Sequence, residues 1–246
     1  MSEEIICVRD LTVAYREIPA LWDINFSIPK GKMVAIVGTN GAGKSTLMKT
    51  LLHLIKPIRG DIQILGESYD RIKQRYRKIA YVPQRESVDW NFPINCLDVV
   101  LMGRYGHIGL MRRPSKEDRN LAMKALERFG MELYHDRQIN ELSGGQKQRI
   151  FLARAYVQDA EILFLDEPFG GVDAKTEKMT LELLKEEKEK GRTILVVTHD
   201  LQSLQEYFDL VVLLKTKLVA YGTPKEVMTR KNLTEAYGGI MHMAVD

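Results

Sequence analysis

The stretch GTNGAGKST at 38–46 carries the densest chemistry in the chain. It fits G-x-x-x-x-G-K-[ST], the spacing of a loop whose backbone N–H groups wrap phosphate oxygens. Gly38, Gly41 and Gly43 let the main chain approach the phosphates, with Thr39, Asn40, Ala42 and Thr46 completing the loop. In this pattern Lys44 reaches the outer phosphates and the Ser45 hydroxyl meets Mg2+. Far downstream, ILFLDEP at 162–168 is an apolar strand ending in Asp166, a carboxylate suited to the same Mg2+, followed at once by Glu167. Neighbours on an extended chain point apart, so Asp166 and Glu167 are expected to serve a metal and an attacking water separately. A carboxylate polarising water fits hydrolysis better than phosphoryl transfer to a metabolite. His199 in VVTHD follows another buried strand, at the edge where nucleotides bind in open α/β sheets. Gln84, after IAYV, lies at that edge too. LSGGQKQR at 142–149 holds no nucleophile, metal ligand or acid–base pair, but Ser143 can cap a helix. The first-turn amides of Gly144, Gly145 and Gln146 would then form a second anion site.

These groups need a scaffold. MVAIV (33–37), ILFLD (162–166), TILVVT (193–198) and LVVLL (210–214) are apolar throughout, as in a parallel sheet covered on both faces. Helical patterns separate them: STLMKTLLHLI after the first, and TEKMTLELLKEEKEK before the third, stopped by Gly191. That alternation predicts an α/β core. IICVRDLTVAY and DINFSIP read instead as antiparallel strands near the N-terminus. From about 88 to 158 strand signals give way to the helical CLDVVLMGRYG, KEDRNLAMKALERFG and the stretch after Gly145, predicting a helical lobe inserted in the core.

Bulk properties narrow the classes. The 246 residues allow one large domain, and 45% hydrophobic with 28% charged content excludes a disordered chain. A net charge of +3 is too small to argue for nucleic acid, and RIKQRYRK at 71–78 reads as a solvated helix face. Cys7 and Cys96 form no disulfide or zinc pattern and suit a reducing compartment. MSEEIICVRD does not resemble a signal peptide, and no aliphatic run approaches the ~20 residues of a membrane span. A soluble protein is expected, associated with membranes only through a partner, with no added regulatory domain after the core.

The order GTNGAGKST, YVPQ, LSGGQKQR, ILFLDEP, GGVDAK, THD closely resembles the ATP-binding cassette (ABC) ATPases, over nearly the whole chain from Tyr15 to about Tyr221. The resemblance implies one ABC ATPase domain over 1–246: a phosphate-loop NTPase core, an N-terminal antiparallel β portion and the helical lobe carrying LSGGQ. It also implies that ATP and Mg2+ are bound. Lys44, Ser45 and the loop amides would hold the phosphates and metal. Gln84 and Asp166 would contact Mg2+, Glu167 would be the general base, and His199 would contact the γ-phosphate. Tyr15 matches the aromatic that stacks on adenine, and Asp173 matches the aspartate of the loop that crosses to a second subunit. Ser143, Gly144, Gly145 and Gln146 would bind the nucleotide held by that second copy. Thr39 stands where many members have proline, and Phe169-Gly170-Gly171 replaces a more polar stretch.

Within that family a transporter motor fits better than an ATPase acting on DNA or ribosomes, since the chain shows one cassette, no heptads and no paired cysteines. A separate chain without a membrane span resembles the bacterial importer arrangement, on the cytoplasmic face and attached through a permease. ESVDWNFPINCLDVVLMGRYGHIGLMRRPSKED resembles the matching segment in ATPases of manganese, zinc and iron importers, and iron-chelate and haem cassettes share its GRY. Trp90 and Phe92, taken as exposed aromatics beside the Gln84 loop, would suit a groove for a permease helix. An extracytoplasmic binding protein would then deliver the cargo, and no nucleic acid is expected. Met241, His242 and Met243 read as a polar tail rather than a metal site.

Overall fold

The computed structural model describes residues 3–68, 71, 77–109 and 112–238. Most of the basic run at 71–78 and all of Met241–His242–Met243 lie outside the described residues. The chain divides into two compact units, 1–74 with 184–246, and 75–183.

The first unit opens with β1 (Glu4–Tyr15) and β2 (Ile18–Pro29), an antiparallel hairpin closed between Tyr15 and Ile18. The hairpin follows from alternation on either side of a register shift: Ile6 and Val8, then Leu11 and Val13, are buried, while Arg9 and Asp10 between them are exposed. β3 (Met33–Val37) comes next and then α1 (Lys44–Leu51). β4 (Arg59–Ile64) returns to pair with β1, and the short β5 (Glu67–Ser68) pairs with β4.

The second unit holds the parallel pair β6 (Ile79–Val82) and β7 (Ile162–Asp166). Between them in sequence run α2 (Cys96–Leu101), α3 (Tyr105–Ile108), α4 (Lys116–Arg128) and α5 (Gly144–Val157). The span 88–158 falls inside this unit, and among its described residues the only β pairing is the bridge Asn95–Gln138. α4 and α5 each open on a reciprocal capping box, Ser115 with Asp118 and Ser143 with Gln146. Arg104 of the GRYG turn binds both ends of this packing. Its Nε donates to Asp118 Oδ1 at 3.1 Å, and its Nη1 donates to the Val157 carbonyl at 3.4 Å. α6 (Ala174–Glu189) leads out of the unit.

The first unit resumes with β8 (Thr193–Val197), β9 (Leu210–Lys215) and β10 (Lys217–Gly222). β3 lies between β8 and β9, parallel to both, and β10 closes antiparallel on β9. β3 and β8 are buried at every position, as expected of strands covered on both faces.

Three predicted elements are shorter or more broken than their patterns. The helix after the phosphate loop stops at Leu51, not at Ile55, because His53 takes a left-handed φ of 62°. CLDVVLMGRYG is not one helix: it tightens to a 3₁₀ turn at Met102–Arg104 before α3. There Gly103 is pressed on the neighbouring helix, where a β-carbon would stand 2.2 Å from the Arg154 carbonyl. TILVVT loses its last residue, since Thr198 already starts the turn that carries His199.

Candidate functional site

In the first unit, β3 runs straight into the phosphate loop. α1 starts at Gly43 without any side-chain cap and with no acidic residue in its first turn. The positive end of its dipole would therefore favour an anion, with no carboxylate of the first turn against it. Gly43 itself is left-handed at φ 97°, and a β-carbon there would stand 2.6 Å from the Ala20 carbonyl, so only glycine fits. Lys44 is buried, and its ammonium donates to the Gly38 and Thr39 carbonyls at 3.0 Å each. That closes the loop into a ring with a positive charge at its centre. The Tyr15 hydroxyl, at the end of β1, lies 3.5 Å from Thr46 Oγ1, while the ring stays half exposed. An exposed aromatic face beside the loop can stack on a base. His199 is exposed on the turn after β8. Asp200 makes that turn rigid, because its carboxylate accepts the backbone N–H groups of Gln202 and Ser203 at 2.9 and 3.1 Å.

In the second unit, β7 delivers Asp166, almost fully buried at the strand end. Burial first, and then the negative charge of Asp166, push the Tyr81 phenol up to about 12. Glu167 does not continue the strand: it sits at φ 50°, in the left-handed region. The two residues are therefore not successive positions of an extended chain, as the pattern predicted, because the strand ends at Asp166 and Glu167 turns left-handed. Such a conformation costs a non-glycine residue about 1–2 kcal/mol. Strain of this kind concentrates at functional positions. Gln84 is brought directly to it, its Nε2 donating to Glu167 Oε2 at 2.9 Å. Asp173 accepts from the Thr176 amide and hydroxyl at 3.0 and 2.9 Å, which holds its carboxyl below the usual range.

LSGGQ forms the mouth of α5. Gln146 Oε1 accepts the Ser143 amide at 2.9 Å, and Ser143 Oγ accepts the Gln146 amide at 3.4 Å. Ser143 is exposed. The structure thus gives Gln146 a capping task that the sequence pattern did not assign.

The same unit carries a groove of about 380 Å³, lined by Pro83, Trp90, Phe92, Met102, Phe151 and Arg154 among others. Phe92 is 62% exposed on its wall. Trp90 is not the exposed aromatic that was expected. Its indole N–H donates to the Arg85 carbonyl at 2.8 Å, and its ring meets Phe151 edge-on at 5.0 Å. Lys147 lies 5.3 Å from the centre of the indole. Arg154 forms part of the wall, donating to the Tyr81 carbonyl at 2.9 Å and lying over the Phe151 ring at 4.3 Å. Neither Arg85 nor Arg154 was singled out in the sequence, where a lone arginine reads as solvated surface.

Residues 21–170 match the family described as ABC transporter. The chain belongs to that family. It is 54% identical to the manganese transport system ATP-binding protein MntB of Bacillus subtilis (strain 168), over 94% of this chain and 91% of that protein. It is 51% identical to the zinc transport system ATP-binding protein TroB of Treponema pallidum (strain Nichols), over 94% of this chain and 86% of that protein. A dimeric post-hydrolysis structure of the ATP-binding cassette MJ0796, bound to ADP and Pi, superimposes with a TM-score of 0.80 at 29% identity, covering 89% of this chain and 98% of that one. The fold is accordingly the α/β phosphate-loop NTPase fold of ABC cassettes, and the cassette is an ATPase, the motor of a membrane transport system. ABC cassettes dimerise and work with membrane permease subunits. Among the described residues of this cassette no helix is long and apolar enough to cross a membrane.

Proposed function

We propose that this cassette drives import of a divalent transition metal, manganese, zinc or iron, from the cytoplasmic face of a bacterial-type membrane. The observation that carries the cargo reading is the likeness, above half identity over more than nine-tenths of the chain, to a manganese and a zinc transport ATP-binding protein. Two copies would bind two ATP molecules head to tail.

The donor set fits the magnesium complex of ATP. A buried carboxylate, a hydroxyl and a side-chain amide oxygen are the hard oxygen ligands that Mg2+ takes. Asp166, Ser45 and Gln84 would hold it, and such an ion would supply positive charge to the phosphates. The amides of residues 38–46 and Lys44 bind the phosphates, and Tyr15 stacks on adenine. Glu167 takes a proton from water as the water oxygen attacks the γ-phosphorus and the bond to ADP breaks. His199 orients the γ-phosphate. Ser143, Gly144, Gly145 and Gln146 of each copy bind the γ-phosphate held by the other, with Asp173 in the crossing loop. The groove of Trp90 and Phe92 receives the permease, and an extracytoplasmic binding protein supplies the cargo.

Reconstitution of the cassette with its co-purified permease in lipid vesicles tests the cargo. Binding protein loaded with manganese, zinc or iron in turn should raise ATP hydrolysis with at least one of these ions. Stimulation by an iron-chelate- or haem-loaded protein alone would overturn the reading.

A further inference from the structure

Arg85 follows Gln84 directly and joins three parts of the second unit. Its carbonyl accepts the indole N–H of Trp90, in the groove wall, at 2.8 Å. Its guanidinium occupies the place of a side chain at Gly144, the first residue of α5: a β-carbon there would lie 2.1 Å from Nη1 and 2.4 Å from Cζ. A β-carbon on Gly171, between Glu167 and Asp173, would lie 3.4 Å from the same Nη1. One residue earlier in the chain, Gln84 holds Glu167. A cation at a helix N-terminus opposes the helix dipole, so helix stability alone does not favour arginine there. The missing side chain at 144 is what makes room for it, while Gly171, glycine for its left-handed φ of 72°, lies in ordinary contact.

We propose that Arg85 is a positioning residue that couples the permease groove to the start of the LSGGQ helix and to the loop of Gly171. When the occupant of the groove moves Trp90, the Arg85 main chain moves with it, and the guanidinium carries that shift to Gly144 and Gly171. The start of the LSGGQ helix, which would meet the partner copy, is thereby set by the same residue that senses the groove. This rests on the ATPase reading above, whose failure would show separately as a wild-type complex that hydrolyses no ATP.

A double-mutant cycle in the reconstituted complex tests it. A methyl group at 144 meets only the far end of a flexible side chain, so Gly144→Ala should act by expelling the guanidinium. Arg85→Ala should lower kcat about tenfold, in the range of coupling between sites, and leave KM for ATP within about twofold. Gly144→Ala should cost at least a similar factor. The double variant should be no worse than Gly144→Ala alone, because that variant already removes the Arg85 contact, whatever its methyl costs at the anion site itself. Three results would overturn the proposal: an unchanged kcat in Arg85→Ala, losses that multiply to about a hundredfold in the double variant, or a loss in Arg85→Ala matched by a drop in melting temperature.

Discussion

Replacing Glu167 by Gln separates its chemistry from its structural contact. Gln84 Nε2 donates to Glu167 Oε2 at 2.9 Å, and a glutamine carbonyl in the same place can still accept that bond. The left-handed φ of 50° is no harder for glutamine than for glutamate. Exchanging a charge-assisted bond for a neutral one costs about 1 kcal/mol, so folding should change by no more than that. Removal of the proton acceptor is a different matter. A positioned general base contributes about 10²–10⁴ in rate, which is about 3–5 kcal/mol of barrier at 1.36 kcal/mol per decade. Glu167→Gln should therefore bind ATP with near-normal affinity, hydrolyse it at least about a hundredfold more slowly, and accumulate as a dimer. Single-turnover phosphate release and sedimentation with ATP measure the two outcomes. Turnover within about threefold of the wild type would refute the assignment, since so small a loss is under 1 kcal/mol of barrier.

Gly43→Ala should cost about 2–5 kcal/mol in urea unfolding, from the left-handed backbone and the contact with the Ala20 carbonyl, and should abolish ATP binding. A variant of wild-type stability would show that the loop tolerates a side chain. Trp90→Ala should destabilise the protein by about 3 kcal/mol, because it removes the packing on Phe151 and the bond to Arg85. Phe92→Ala, on a 62% exposed ring, should cost less than about 0.5 kcal/mol yet impair transport with ATP binding intact. Asp118 is held below its ordinary value of 3.8 chiefly by the Ser115 hydroxyl, with Arg104 adding to it. A depressed carboxyl contributes stability above its unfolded value and loses it as pH falls through the folded one. Asp118→Asn should thus be about 1 kcal/mol less stable near neutrality, with the gap to the wild type closing below pH ~4, as denaturant midpoints across pH would show.

Continuous burial is what made the sheet readable. β3, β7, β8 and β9 are apolar on both faces, so their composition alone marks them to within a residue. Where tertiary contacts decide, the pattern fails. Nothing in LLHLI announces that His53 turns left-handed, and nothing in GRYG shows Gly103 against the Arg154 carbonyl. The phosphate loop and Asp166 were legible because their chemistry depends on local spacing. Glu167 was expected to continue the extended strand, and the structure instead gives it a left-handed φ of 50°. Trp90 reads as a docking aromatic until its indole is seen bound to Arg85. Arg85 had no sequence signal, because its neighbours at 144 and 171 come from distant segments.

The two helix mouths differ in a way that answers why one chain carries both. α1 has no side-chain cap, and the loop before it is drawn around the buried Lys44 ammonium by the Gly38 and Thr39 carbonyls, as would suit a site that keeps its own polyphosphate. α5 is capped from within: Ser143 and Gln146 satisfy each other's amides, which holds the helix start formed when no anion is present. That box leaves the N–H groups of Gly144 and Gly145 outside it, on a surface where Ser143 is exposed. On the proposed reading this site meets its anion only when a second copy arrives, and it would need such self-sufficiency, since an uncapped helix end would fray between encounters. The capping box also gives the Gln146 side chain a task within its own chain, since its Oε1 accepts the Ser143 amide. If that reading holds, the LSGGQ mouth is built to wait and GTNGAGKST to hold.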